Sequence, residues 1–148
     1  MDKETKVVIG VVVACTGLFV AGALWYNSVT KVVPVDQSRL IREHSSKIQT
    51  PGAKVTMVEF ADFECPGCAG IHPVLKTIVT DYSGKVNFVY RTLPIHRDSA
   101  LVAKFALAAG EQGKYWEMHD VLYDNQAKWA GQANPAQDLL LGYARELK

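Results

Sequence analysis

The sequence predicts an α/β protein in which an N-terminal transmembrane helix is followed by one β-α-β unit and then by helices alone. Three observations carry that reading. Residues 7–30 contain no charged side chain, residues 54–60 and 86–92 are two β-rich segments around a stretch of helical spacing, and everything after Thr92 keeps a helical pattern. A chain of 148 residues has room for one domain, since domains usually run to roughly 100–200 residues. A composition 49% hydrophobic and 21% charged excludes a disordered or collagen-like chain. Sixteen basic against fifteen acidic side chains give a formal charge of +1, without the basic stripe of a nucleic-acid binder. Three cysteines are too few for a disulfide scaffold.

Residues 7–26 read VVIGVVVACTGLFVAGALWY. At about 1.5 Å per residue, a run of ~20 apolar residues crosses the hydrocarbon core of a bilayer. Trp25 and Tyr26 fall at its end, where amphipathic rings favour the interface. A core helix in so small a domain would keep a polar face, so an uncleaved anchor is expected. Two readings compete with it. Ala21-Gly22-Ala23 offers small residues for signal cleavage. Val12-Val13-Ala14-Cys15 resembles a lipobox with Cys15 lipidated, although the apolar run continues for eleven residues beyond Cys15. Otherwise Cys15 is a small apolar residue facing lipid. Lys3 and Lys6 before the span, and Lys31 and Arg39 after it, do not decide orientation; the very short tail favours a cytoplasmic N-terminus and an exported remainder. The expected organisation is a cytoplasmic tail (1–6), an anchor (7–26), a stalk or linker (27–50) interrupted by Pro34, and a folded domain (51–148).

Within the exported part, Asp36 is placed to cap a short helix through Ser46 that carries Leu40 and Ile41. Pro51-Gly52 signals a turn. KVTMVEF (54–60) reads as a strand, and residues 46–49 offer a further short one. From Pro66 the positions Ile71, Leu75, Ile78 and Tyr82 recur at helical spacing until Ser83-Gly84 ends the helix. VNFVYRT (86–92) is the next strand, and a β-α-β unit normally makes a right-handed crossover between parallel strands. Asp98 then caps an Ala-rich helix to about Gln112, residues 114–124 form another, and Asn134 with Pro135 opens a last one.

The chemistry lies in Cys65-Pro66-Gly67-Cys68, at the junction of strand and helix. Unpaired amides and the helix dipole stabilise negative charge at a helix start, which can lower a thiol pKa from ~8.5 to ~3.5–7.5. Cys68, one turn on, can attack a mixed disulfide formed at Cys65. Pro66 suits a first helical turn, where its missing N–H is not needed. Zinc held by Cys65, Cys68 and His72 lacks a fourth ligand and a second Cys-x-x-Cys. Haem attachment needs His where Ala69 stands, and a purely structural disulfide would close too small a loop to constrain the unfolded chain much. Redox use is therefore expected, with no cofactor and no metal. Glu59, six residues before Cys65, is either a proton acceptor for Cys68 with its pKa raised by burial or a solvent-facing strand carboxylate. His72 is read mainly as a packing or surface histidine, as are His96 and His119. Trp116, Met118 and Leu122 suit a helix core, and Phe60 and Phe63 are expected to shield the cysteines.

The stretch VTMVEFADFECPGCAGIHPVLKTI (55–78) resembles the thioredoxin superfamily, specifically the DsbA-like thiol–disulfide oxidoreductases. The strand, Glu59, the Cys65–Cys68 pair and Pro73, eight residues after Cys65, carry the resemblance. Residues 90–126 are similar to the helical insertion of that branch. The resemblance implies a thioredoxin-like domain, Cys65 as the attacking thiol, Cys68 as the resolving thiol and Glu59 as the proton-handling acid. It implies an enzyme acting on cysteines of exported proteins, with a membrane partner or small thiol system resetting the pair. Pro66-Gly67 lacks the His that strongly oxidising relatives carry between their cysteines, so oxidase, reductase and isomerase stay open. The family's Thr-Pro loop, β-hairpin and final helix have no counterpart among residues 93–148. The expectation is accordingly a truncated domain with an incomplete sheet and weak exchange by itself. The alternative to an enzyme is a non-catalytic anchored binding module or fragment.

Overall fold

The computed structural model describes residues 2–30, 36–132 and 137–147, so Lys31, Pro34, Asn134 and Pro135 lie outside the described residues. The chain divides into two compact units, residues 1–36 and 37–148. The first is a single helix, α1 (Lys3–Val29), which contains the expected span and extends it at both ends. None of its side chains is buried, and it is long and apolar enough to cross a membrane. Two of its hydroxyls are satisfied internally: Thr16 donates to the Val12 carbonyl and Ser28 to that of Trp25. That is what an apolar surrounding demands of a polar side chain.

The second unit begins with α2 (Gln37–Leu40), which is shorter than the expected helix through Ser46. Ser45 turns the chain by bonding to both the N–H and the C=O of Arg42, and Arg91 donates to the carbonyls of Arg39 and Leu40 at the helix end. Residues 46–48 form β1 (Ser46–Ile48), within the short strand expected at 46–49, by pairing with a buried strand. The Pro51-Gly52 turn follows, closed by the Ala53 N–H on the Thr50 carbonyl and with Gly52 at φ +86°. Then come β2 (Val55–Ala61), α3 (Pro66–Asp81) and β3 (Val86–Thr92), followed by α4 (Ser99–Gly110), α5 (Tyr115–Asp124), α6 (Gln126–Trp129) and α7 (Gln137–Glu146).

The sheet order is β1-β3-β2. β3 runs parallel to β2 from Val55↔Val86 to Ala61↔Thr92 and antiparallel to β1 from Ser46↔Tyr90 to Ile48↔Phe88. Lying in the centre, β3 buries Phe88, Val89 and Tyr90 consecutively, as a strand covered on both faces does. Among the described residues no strand pairs with the outer edge of β2, so the sheet is open. The core joins this sheet to α4, α5 and α7 through Phe63, Val102, Ala106, Met118, Leu122, Trp129 and Leu140.

Three local expectations change. On α3 the buried side chain is His72, with Leu75, Ile78 and Val79 half-buried, whereas Ile71 and Tyr82 are exposed. Asp98 sits at the N-cap of α4 but makes no capping bond, since its carboxylate is engaged by Arg97. Phe60 does not shield the cysteines: it is exposed with the Arg91 guanidinium 5.2 Å from its ring centre, while Phe63 is fully buried.

Candidate active site

Strand β2 ends at Ala61, and four residues later Cys65 occupies the N-cap of α3 with extended backbone (φ −74°, ψ 120°). Pro66 opens the helix, where a residue without an N–H leaves nothing unsatisfied. The Cys65 side chain makes no capping hydrogen bond, but the backbone amides of Cys68 and Gly67 and the Cys68 thiol lie beside its sulfur. The Cys68 amide, the Cys68 thiol and then the Gly67 amide outweigh desolvation and hold the Cys65 thiol below its ordinary pKa; the His96 imidazole adds a further pull. Cys68 moves the opposite way, because burial and the charges of Cys65 and Glu59 push its thiol up. Both cysteines are free thiols and half-buried. Gly67 leaves the approach open: a Cβ there would meet only the Cys65 sulfur, at 3.8 Å.

Strand alternation puts Met57, Glu59 and Ala61 on the core side of β2. Glu59 is therefore not solvent-facing. It lines a cavity of about 190 Å3 with Ile48, His72, Phe88, Trp116 and His119, and burial pushes its carboxyl up to about 7.

The loop between β2 and Cys65 is held by groups the sequence did not single out. Asp62 is 2% exposed; its Oδ1 accepts the Glu64 N–H at 2.9 Å. Its Oδ2 accepts the N–H groups of Ile95 (2.9 Å) and His96 (3.0 Å) and faces His96 Nδ1 at 2.8 Å. Burial alone would raise this carboxyl, but bonds from Ser99, the Glu64 amide, His96 and the Ile95 amide bring it down to about 2. In return His96 is held above its usual pKa by Asp62. Glu64 accepts the Asp98 N–H at 2.8 Å and the Ser99 hydroxyl at 3.3 Å, and Gln126 donates to the carbonyls of Phe63 (2.7 Å) and Cys65 (3.0 Å). Tyr123 donates to the Asp62 carbonyl at 3.3 Å and shares a 2.7 Å bond with Tyr90. The available signal was compositional: two acids flank a Phe just before the cysteines, and acids are rarely buried unless paired.

The histidines divide. His96 belongs to the cysteine loop. His72 is buried, stacked on Tyr123 at 4.9 Å, and meets His119 edge-on at 5.2 Å, away from the thiols' own hydrogen bonds. Met118 and Leu122 are core residues as expected, and Trp116 is half-buried on the cavity wall.

A β-α-β unit with paired cysteines where the first strand meets the helix is a thioredoxin-like fold. A thioredoxin family model matches residues 45–146, and the chain belongs to the thioredoxin family. Its structural neighbours are DsbA-like. A thioredoxin-like oxidoreductase from Silicibacter pomeroyi superposes with a TM-score of 0.61 and 31% identity, covering 76% of this chain and 62% of that one. The alpha-DsbA1 protein of Wolbachia pipientis shares the fold, with a TM-score of 0.66 and 21% identity over 76% of this chain and 59% of its own. The probable disulfide bond formation protein D of Bacillus cereus is 29% identical over 99% of this chain and 70% of its own length. The Na(+)/H(+) antiporter NhaA 1 of Salinispora arenicola is 41% identical over 120 residues, which are 78% of this chain but 16% of the antiporter. The chain thus spans about a sixth of that relative.

Proposed function

We propose that this chain is a membrane-anchored, extracytoplasmic protein-disulfide oxidoreductase acting on cysteines of exported proteins through Cys65 and Cys68. The observation that carries the reading is Cys65 at the N-cap of α3, where the first-turn amides, that of Cys68 foremost, hold its thiol below the ordinary pKa. In the reducing direction the Cys65 thiolate attacks a substrate disulfide. A Cys65–substrate S–S bond forms, the substrate S–S bond breaks, and one substrate sulfur leaves as thiolate. Cys68 gives up its proton and attacks the Cys65 sulfur, releasing the second substrate thiolate and leaving Cys65 and Cys68 joined. The substrate gains two electrons and the cysteine pair loses two; the oxidising direction is the reverse, and an external thiol–disulfide couple resets the pair.

Glu59 suits the proton step. A carboxyl with a pKa near 7 accepts and returns a proton at neutral pH, and its charge is felt at Cys68. The rigid loop held by Asp62, Glu64 and Gln126 supports the reading, because exchange requires a fixed line of approach between sulfurs.

Residues 7–26 are proposed as the retained anchor, with residues 1–6 cytoplasmic and an exported redox domain that starts at Gln37 rather than at 51, since α2 and β1, expected within a linker of residues 27–50, belong to the second unit. An apolar helix with every side chain exposed supports this, as does the confinement of persistent disulfide chemistry to oxidising compartments.

The test is equilibration of the full chain in graded redox buffers followed by thiol alkylation. A reversible two-electron transition that disappears in Cys65→Ser is expected. Thiols that stay reduced across the whole range contradict the enzyme and favour a non-catalytic binding module.

A further inference from the structure

The cavity beneath Glu59 holds a cluster that thiol exchange does not use. His72 on α3 and His119 on α5 are 6% and 3% exposed, and the Nε2 atom of each has no hydrogen-bond partner. An unpaired buried polar atom costs about 1–3 kcal/mol, and two of them in one cavity call for an explanation. Asp120 stands between the rings: its Oδ1 lies 3.6 Å from His72 Nε2 and 3.3 Å from His119 Nδ1, while Oδ2 pairs with Lys76. One ligand atom from each of His72, His119 and Asp120 lies within 4.8 Å of the other two.

We propose that His72, His119 and Asp120 form a binding site for a divalent cation of the zinc class, separate from the cysteine pair. Two imidazoles and a carboxylate are the donor set such an ion takes, with water in the fourth position of an open tetrahedral site. Calcium and magnesium prefer all-oxygen cages and are poorly matched. Ligands about 2.0–2.1 Å from a tetrahedral ion lie about 3.3–3.4 Å from one another, close to the 3.3 and 3.6 Å that separate Asp120 Oδ1 from the two imidazoles, so small side-chain movements admit the ion. Asp124, 3.9 Å from His72 Nε2, adds negative charge that offsets Lys76.

Reduced thiols also bind zinc, so the experiment uses the full chain in detergent carrying Cys65→Ser and Cys68→Ser. Zinc is titrated in competition with a chromophoric chelator, and cobalt(II) is then substituted as a spectroscopic probe. One equivalent of zinc, a low-coordinate cobalt spectrum and two cobalt-shifted imidazole N–H resonances are expected. His72→Gln and Asp120→Asn should each weaken zinc binding by more than ~10-fold, with unchanged far-UV circular dichroism. Absence of stoichiometric zinc binding overturns the site. So does binding that both substitutions leave intact, which places the ion on other histidines. If either variant misfolds, the two imidazole resonances of the parent protein decide the matter.

Discussion

Cys65 and Cys68 stand one helical turn apart, yet their surroundings drive their thiols in opposite directions. The cause is position on the helix: the N-cap sulfur sits by first-turn amides that favour its thiolate, whereas the sulfur one turn in is desolvated and sees negative charge. His96, whose pKa Asp62 raises, reinforces the first effect. His96→Asn is expected to slow alkylation of Cys65 most at about pH 6, where the imidazole is charged, and to have little effect in alkaline solution; equal slowing at both would show that the ring acts sterically. Glu59 carries its own pH signature. Its folded-state pKa of about 7 exceeds the ordinary glutamate value of 4.5, so the folded protein keeps a proton that the unfolded chain releases. Stability therefore falls as pH rises through the window from 4.5 to about 7. Glu59→Gln should flatten that fall, read as a smaller difference in thermal midpoint between pH 5 and about pH 8. Asp62 acts in the other sense: its contribution is present above the ordinary Asp range and is lost as pH drops toward about 2.

At the scale of elements, α6 and the loop after β3 clamp the approach to the cysteines. Gln126→Ala leaves the carbonyls of Phe63 and Cys65 without that donor and should cost about 1–3 kcal/mol in urea unfolding, with slower thiol exchange. An unchanged exchange rate would separate loop rigidity from catalysis. The long periodic elements were legible in the sequence: β3 matches its predicted residues, and β2 and α3 lie within a residue of theirs. Cys65 at a helix start was legible for the same reason, because an alternating strand, a Pro and a helical repeat meet there. What escaped was nonlocal. Nothing near Ser46 announces that it pairs with Tyr90, nothing near Asp62 announces the amides of Ile95 and His96, and α6 is too short to show a period. His72 packs as expected, but its partners on α5 lie more than forty residues away and are not legible from the local pattern.

For the molecule as a whole, one small core ties the open three-stranded sheet to the helical layer. Leu122 is fully buried there, and Leu122→Ala should destabilise the folded unit by about 2–5 kcal/mol, measured by denaturant midpoint at constant m-value. The apolar helix α1 is expected to keep the chain in carbonate-washed membranes, and deletion of residues 1–30 to release it. Among the described residues no strand covers the β2 edge, yet the backbone hydrogen bonds that position Cys65 come from within residues 62–126. The most direct measurement is the pH dependence of alkylation of the reduced full chain, with each cysteine resolved by mass spectrometry. Cys65 should become reactive at a pH below that of an ordinary thiol, and Cys68 only above it. Reversed order, or two cysteines that titrate together at the ordinary thiol value, would contradict the assignment of Cys65 as the nucleophile.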